Sequence, residues 1–251
     1  MNLKGSITAK KFLIGSLMRS RGGTIIKGTD YFFGIGGCIK ELTEDVPDFE
    51  SITRLSVNGT YYAFTEKLTF DGGHYIDSGV VPTAETAIEI DHQMNDTANA
   101  WVFGSRKAGN QNSFSLNVNM SRTTYYPRIG NSSIYSFTTT NERHHIVMNK
   151  SGINVDGELK KEFSGVTITT DLNLYIGALN QAGTVTGAAN MDIYAMKIYD
   201  SGNVLRYYVP CISEDDKEGL FDILNYRFYP LTEIPVSTSA ARQTMLWEED
   251  V

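Results

Sequence analysis

Ala87-Ile88-Glu89-Ile90-Asp91-His92-Gln93-Met94 is the stretch that decides the fold class. Ile88, Ile90, His92 and Met94 recur at period two, with Glu89, Asp91 and Gln93 between them. Successive side chains of an extended chain point to opposite faces, so this alternation predicts a half-buried antiparallel strand. Working outward, short segments of the same texture recur on both sides. Upstream are Leu68-Thr69-Phe70 and Tyr75-Ile76; downstream are Trp101-Val102-Phe103-Gly104 and the trio Phe114, Leu116 and Val118. Tyr125-Tyr126, residues 134–137, 144–148, 172–176, 191–199 and 204–209 continue the series. Turn residues separate them: Asp71-Gly72-Gly73, Asp77-Ser78-Gly79, and Asp156-Gly157 between Ile153-Asn154-Val155 and Glu158-Leu159. Asp-Gly between two such runs predicts a tight hairpin, because a type I′ turn needs positive φ at both central positions. No long amphipathic helical period intervenes, and no internal repeat is visible. The reading is all-β, a sandwich or jelly roll.

Composition agrees with numerous short strands and tight turns. The 251 residues hold 23 Gly, 14 Tyr and 12 Phe against 6 Pro. Twenty-two Lys and Arg against 29 Asp and Glu leave a net charge of −7, which argues against nucleic acid as the main partner. No apolar run approaches the ~18 residues that span a bilayer as a helix, so membrane insertion is not expected. The apolar run 12–18 is short, and Arg19-Ser20-Arg21 follows it where a signal peptide would place a small-x-small site. Two distant cysteines, Cys38 and Cys211, are too few for a disulfide framework or a cysteine-rich zinc site. Five Asn-x-Ser/Thr triplets, at Asn58, Asn95, Asn119, Asn131 and Asn149, read as turn composition in a chain that is not secreted.

The first part of the chain differs in texture. It gathers Lys4, Lys10, Lys11, Arg19, Arg21 and Lys27, the glycines Gly22-Gly23 and Gly34, Gly36 and Gly37, and then an acidic stretch from Glu41 to Glu50. The glycines lack the spacing and the following helix of a dinucleotide fingerprint. Opposite charge patches suit docking, so residues 1–62 are expected to form a small β-rich attachment or oligomerisation module. The main domain is expected over 63–235, and a tail over 236–251.

The C-terminal half carries a recognisable order. Met191-Asp192-Ile193-Tyr194-Ala195-Met196-Lys197-Ile198-Tyr199-Asp200 leads through Ser201-Gly202 to Tyr207-Tyr208-Val209-Pro210-Cys211, and then to Gly219-Leu220-Phe221-Asp222 and Phe228-Tyr229. With Leu68-Thr69-Phe70-Asp71-Gly72-Gly73-His74-Tyr75-Ile76-Asp77-Ser78-Gly79 as a first strand pair, this resembles concanavalin A-like jelly rolls of the laminin G-like type, from about Leu68 to Leu231. Pro210 is read as ending a strand by removing a ladder donor, and Cys211 as a small apolar residue at the sandwich edge. The Val-Pro-Cys and Gly-Leu-Phe-Asp variant resembles versions in structural proteins of tailed bacteriophages. That resemblance implies a fibre or tail-associated virion protein, assembled in the host cytoplasm, joined to other virion proteins through its N-terminal module and trimeric or otherwise homo-oligomeric.

Jelly rolls of this superfamily include glycoside hydrolases that resemble laminarinases and carry two glutamates on one strand face. Glu89 and Asp91 make a near miss, but Gln93 or Met94 stands where the second glutamate would be, and an amide cannot donate and recover the proton. No Gly-x-Ser-x-Gly elbow occurs. His144 and His145 face opposite ways on a strand and cannot share a metal. Glu89 and its neighbours are therefore read as a solvated acidic face on an early surface strand, and the protein as non-catalytic. No cofactor is expected. Calcium is the one candidate metal, through the loop residues Asp71, Asp77, Asp96 and Asp171.

Binding is the function left. Aromatic faces cover the C–H surfaces of sugars, and planar amides and carboxylates satisfy hydroxyls. The candidates are Trp101, Tyr125 and Tyr126, of which one tyrosine should point in and one out, together with Arg106, Asn110, Gln111 and Asn112 in one loop region and Asn180 and Gln181 in another. The expected function is adhesion to host or mucosal glycans. The alternatives are a capsid or tail decoration protein without sugar binding, and a bacterial polysaccharide-binding or glycoside hydrolase jelly roll.

Overall fold

A computed structural model describes residues 24–25, 30–33, 54–57, 59–95, 100–107, 112–119, 123–130 and 135–235. Among these residues the chain is all-β, without a helix. The strands are β1 (Thr24–Ile25), β2 (Asp30–Phe33), β3 (Arg54–Val57), β4 (Thr60–Phe64), β5 (Leu68–Asp71), β6 (His74–Asp77), β7 (Thr86–Met94), β8 (Ala100–Arg106), β9 (Ser113–Val118), β10 (Thr124–Gly130) and β11 (Phe137–Thr138). They continue with β12 (His144–Asn149), β13 (Gly152–Val155), β14 (Glu158–Glu162), β15 (Tyr175–Ile176), β16 (Leu179–Gln181), β17 (Thr184–Thr186), β18 (Asn190–Asp200), β19 (Asn203–Ser213), β20 (Glu218–Asp222), β21 (Arg227–Pro230) and β22 (Thr232–Glu233).

The strands form two sheets. The larger runs β1-β2-β3-β4-β19-β18-β7-β12-β13-β14, with β5 on β18 and the pair β20-β21 on β19. The smaller runs β11-β10-β9-β8-β15-β6-β22, with β16 and β17 beside β8. Pairing is antiparallel, except that β2 runs parallel to β3 and β16 parallel to β8. Asp71-Gly72-Gly73 is the corner at which the chain leaves the larger sheet and enters the smaller one. There the Asp71 carboxylate accepts the Gly73 N–H at 2.8 Å.

The inner faces meet in one core. Ile88, Ile90 and Met94 of β7 and Met191, Ile193, Met196 and Ile198 of β18 pack against Phe103, Phe114, Leu116, Val118 and Ile129 of the smaller sheet. The alternation read along 87–94 holds residue by residue. Each fully buried aliphatic or aromatic side chain of this kind contributes roughly 1.5–3 kcal/mol by leaving water. The hairpin read at Asp156-Gly157 is present, with both residues at positive φ, 53° and 86°.

The core also encloses polar groups. His92 is fully buried, with Nε2 3.1 Å from the Tyr125 hydroxyl. Burial, reinforced by nearby His144, pushes its pKa down to about 3, so it is neutral in the folded protein. His144 on the partner strand places Nδ1 2.7 Å from Asp156 and Nε2 2.9 Å from the Thr140 carbonyl. His145 points the other way, as the strand period requires.

A second cluster lies against the opposite face of the larger sheet: Leu55, Tyr207, Val209, Cys211, Phe221 and Ile223, flanked by Tyr62 and Phe64. It corrects the reading of Cys211, which is buried inside this cluster and not at an edge; burial raises its thiol pKa to about 12. Pro210 is corrected too. It lies within β19 opposite Leu220, and its carbonyl accepts the Thr65 N–H at 3.1 Å. A fixed φ suits an extended strand wherever only an acceptor is needed. The boundary expected at 62 falls inside β4, which pairs with β19 in the larger sheet. Residues 134 and 236–251 lie outside the described residues, as do the basic and acidic clusters and Cys38 of the N-terminal segment.

Candidate functional site

The outward face of the smaller sheet gathers the sequence-selected residues. Its register sets three rows across β8, β9 and β10. Trp101 opposes Asn117, which opposes Tyr126; Gly104 opposes Ser115, which opposes Arg128. Arg106 lies two residues beyond Gly104, and Ser113 opposes Gly130. Directly opposed residues share a face, so Trp101, Arg106, Tyr126 and Arg128 surround a strip made of Gly104, Ser113, Ser115 and Asn117. The strip is buried, and a Cβ added at Gly104 would lie 2.6 Å from Leu179 Cδ1, so Leu179 packs on it there. The Ser113 and Ser115 hydroxyls lie 2.8 Å apart, and the Asn117 amide donates to the Ala100 carbonyl at 2.7 Å.

The larger side chains are held from several directions. Arg106 donates through Nη2 to the Gln181 carbonyl oxygen at 2.7 Å, and its guanidinium carbon lies 5.2 Å from the centre of the Trp101 ring. The parallel pairing of Gln181 with Arg106 brings the two side chains to one place. The indole rests on Gly187, where an added Cβ would lie 2.4 Å from Cδ1; φ there is +58°, so glycine answers both needs. The Trp101 backbone N–H donates to the Gly187 carbonyl at 2.9 Å. Burial lowers the pKa of Arg106, and the Arg128 charge lowers it further; burial also lowers that of Arg128. The two cations therefore feel each other in a partly desolvated setting.

Trp101, Arg106 and Gln181 thus come together, and Tyr126 stands on the same face two strands from Trp101. Tyr125 does not join them. It is the inward member of its pair, 1% exposed, stacked on Phe137 at 5.6 Å and bonded to His92. Asn180 is also buried: its amide donates to the Asn173 carbonyl at 2.9 Å, and its carbonyl accepts the Gly183 N–H at 3.0 Å, so it shapes the turn after β16. Asn112 accepts from the Thr169 hydroxyl at 3.0 Å at the end of β9. Asn110 and Gln111 lie outside the described residues. Sequence reading passed over Arg128 and Asn117. Arg128 falls at period two from Tyr126, and Asn117 lies between Leu116 and Val118 on the opposite face of their strand; that spacing would have found them.

The outward face of the larger sheet is built differently. Glu89 accepts from Lys197 Nζ at 2.8 Å and from the Tyr199 hydroxyl at 2.6 Å. Asp91 accepts from Arg143 at 2.9 Å, and the Arg143 guanidinium lies 3.8 Å over the Tyr194 ring. His145 Nδ1 lies 3.8 Å from Asp91. The expected surface strand is corrected here, because β7 lies in the middle of the larger sheet between β18 and β12. Glu89 is half-buried and ion-paired, not a solvated acid. Burial raises its pKa, but the bonds from Lys197 and Tyr199 and the Lys197 charge outweigh it, and the net shift is downward. A glycosidase acid needs the opposite, a carboxyl held protonated.

The loop carboxylates considered for calcium are engaged with the protein. Asp71 meets His74 at 2.7 Å, Asp77 accepts from Gly79 N–H at 2.8 Å and from Asn173 at 3.1 Å, and Asp171 lies 3.3 Å from Lys107. Among the described residues no three His, Cys, Asp or Glu side chains gather as metal ligands. Asp96 lies outside them.

No protein-family model and no curated protein matches the chain. Among solved structures, the carbohydrate-binding module CBM40 of Ruminococcus gnavus IT-sialidase aligns at TM-score 0.42 and 18% identity, over 56% of this chain and 92% of that one. The same module bound to alpha2,3 sialyllactose aligns at 0.41 and 17%, over 56% and 91%. A mutant of NanB sialidase from Streptococcus pneumoniae aligns at 0.37 and 13%, over 56% of this chain and 26% of that one.

Proposed function

We propose that this β-sandwich is a non-catalytic glycan-binding domain, and that it binds through the outward face of β8, β9 and β10. The observation that carries the reading is the preset group of Trp101, Arg106 and Gln181. An indole lies beside a guanidinium already fixed by a 2.7 Å hydrogen bond and a ring contact, and Tyr126 shares the face two strands from Trp101. Aromatic bodies provide C–H contact, and fixed planar donors meet hydroxyls without losing side-chain freedom on binding. The glutamate of the hydrolase-like strand is held ionised on the other sheet, which supports binding over cleavage.

The full-length protein on a glycan array tests this. Binding to at least one saccharide, weakened about tenfold or more by Trp101→Ala and unchanged by Arg143→Gln on the opposite sheet, is the expected result. No binding to any glycan, or binding untouched by Trp101→Ala, would overturn it. The finer placement, a fibre or tail-associated protein attached to a virion through residues 1–62, rests on the Val209-Pro210-Cys211 and Gly219-Leu220-Phe221-Asp222 resemblance. Mass spectrometry of purified particles tests that placement; absence of the protein from them would refute it.

A further inference from the structure

Two histidines form a cross-strand pair inside the sandwich. His144 of β12 stands directly opposite His92 of β7, and both are buried on the inward face. Tyr125 of β10, from the other sheet, stands nearly perpendicular to both rings, at 5.8 Å from the first and 6.4 Å from the second. Phe137 of β11 stacks on Tyr125 at 5.6 Å. One cluster thus ties the β11 end of the smaller sheet to the inward side of the larger one.

The two imidazoles are satisfied differently. Both ring nitrogens of His144 face acceptors, the Asp156 carboxylate at 2.7 Å and the Thr140 carbonyl at 2.9 Å, so a proton on each has a partner. His92 meets the Tyr125 hydroxyl through Nε2, while its buried Nδ1 has no hydrogen-bond partner. A second proton on His92 would be a buried donor without an acceptor, and a charge directly opposite His144.

The groups that face His92 come from four elements. β12 presents His144, β10 presents Tyr125, the turn between β13 and β14 brings Asp156, and β18 sets the apolar Ile193 opposite. Asp91, Arg143 and His145 lie on the outward face of the same sheet, and Glu142 meets only the Thr140 hydroxyl. Asp156 would offset a charge on His92, but it is already bonded to the His144 ring and the His145 N–H.

The part fastened by this cluster is small. β11 is two residues long and, among the described residues, pairs with β10 alone. Past β11, the Thr139 N–H donates to the Thr123 carbonyl at 2.7 Å, and the Thr140 carbonyl meets His144. Few bonds outside the cluster must break for this corner to leave the core.

We infer that this cluster is an acid-operated latch: protonation of His92 releases Tyr125, β11 and residues 139–143 from the core while the rest of the sandwich stays folded. In the open corner water reaches both nitrogens of the imidazole, which then titrates as an ordinary histidine. Burial and the nearby His144 hold the closed one down at about 3. Closure is therefore undisturbed above the ordinary histidine value of about 6.5, and the ratio of open to closed rises up to about tenfold per pH unit below it. Tyr126 follows Tyr125 on β10, so opening also disturbs the outward face; that consequence alone rests on the glycan-binding reading.

The test is amide hydrogen exchange of the full chain at pH 7, 6 and 5, expressed as protection so that the intrinsic pH dependence of exchange drops out. Protection at Tyr125, Phe137 and Thr139 should fall by up to about tenfold per pH unit below pH 6.5, and should stay at least about tenfold below that of β18 and β19. His92→Gln should remove the pH dependence at those three amides. Where that variant fails to fold, nitrogen chemical shifts of the wild-type His92 ring give the second reading, and they should titrate in step with the loss of protection. Equal protection in β10, β11, β18 and β19 at pH 5 would overturn the latch, because the sandwich would then open as one unit. Protection unchanged between pH 7 and pH 5, a fall that survives His92→Gln, or ring shifts that titrate apart from it would overturn it as well. No saccharide enters the measurement, so a failed latch leaves the glycan reading standing, and a failed glycan reading leaves the latch.

Discussion

The two outward faces of the sandwich follow the same strand period and use their charges in opposite ways. On the larger sheet Glu89 is matched by Lys197, and Asp91 by Arg143, with tyrosines filling between them. On the smaller sheet Arg106 is matched by an amide and an indole, and Arg128 lies across a strip of small residues. Mutually neutralised charges stabilise a surface modestly and attract little. Aromatic rings beside planar polar groups suit the C–H surfaces and hydroxyls of a sugar instead. The alternation that makes a strand is therefore silent about which face works; the identity of each cross-strand partner decides that.

The comparison is tested most severely through the core the faces share. Phe114→Ala, at a fully buried ring beneath β9, should cost about 3–5 kcal/mol. Chemical denaturation would measure it, and both faces should be lost together; loss of only one would mean the sheets fold separately.

Acid should act next, through the inward side of the strand that carries Glu89. The His92 pKa is near 3 when folded and near 6.5 when unfolded, so the unfolded chain takes up a proton that the folded one refuses. This contribution is fully present above pH 6.5 and is lost as pH falls toward 3. One group of this kind removes up to about 1.4 kcal/mol per pH unit. Denaturation at pH 7 and pH 5 should show that slope, and His92→Gln should flatten it. An unchanged slope in the variant would assign the acid sensitivity to other groups.

Breaking the neutralised face separates stability from binding. Lys197→Met leaves Glu89 half-buried with the Tyr199 hydroxyl, and should cost about 1 kcal/mol while leaving ligand affinity unchanged. A binding defect of tenfold in this variant would move the site to the larger sheet. A stability effect of the same size is expected from Gly187→Ala. It pushes the indole off its seat at a position of positive φ, and should weaken binding a few-fold while costing about 1 kcal/mol. Parallel titration and melting would show whether the two losses go together.

Much of the fold was legible in the sequence because burial imposes period two. Residues 87–94, the hairpin at Asp156-Gly157 and the corner at Asp71 follow from side-chain alternation and turn chemistry alone. Pro210 and Cys211 were misread because a second apolar cluster covers the outer face of β19, and local sequence does not reveal what lies above a strand. β7 was misplaced as a surface strand for the same reason: sheet order depends on pairings with β18 and β12, up to about a hundred residues away. In the site, Trp101, Arg106 and Gln181 were visible as residue types, but their meeting depends on the parallel pairing of β16 with β8. Tyr125 and Tyr126 could be divided into one in and one out, yet only the His92 contact says which.

Amide and indole chemical-shift changes on adding a saturating saccharide would test most directly where the ligand lands. The account predicts shifts confined to the Trp101 indole and the backbone of β8, β9 and β10, with the amides of Glu89, Asp91 and Lys197 unmoved. Shifts centred on those three residues, with Trp101 silent, would contradict it.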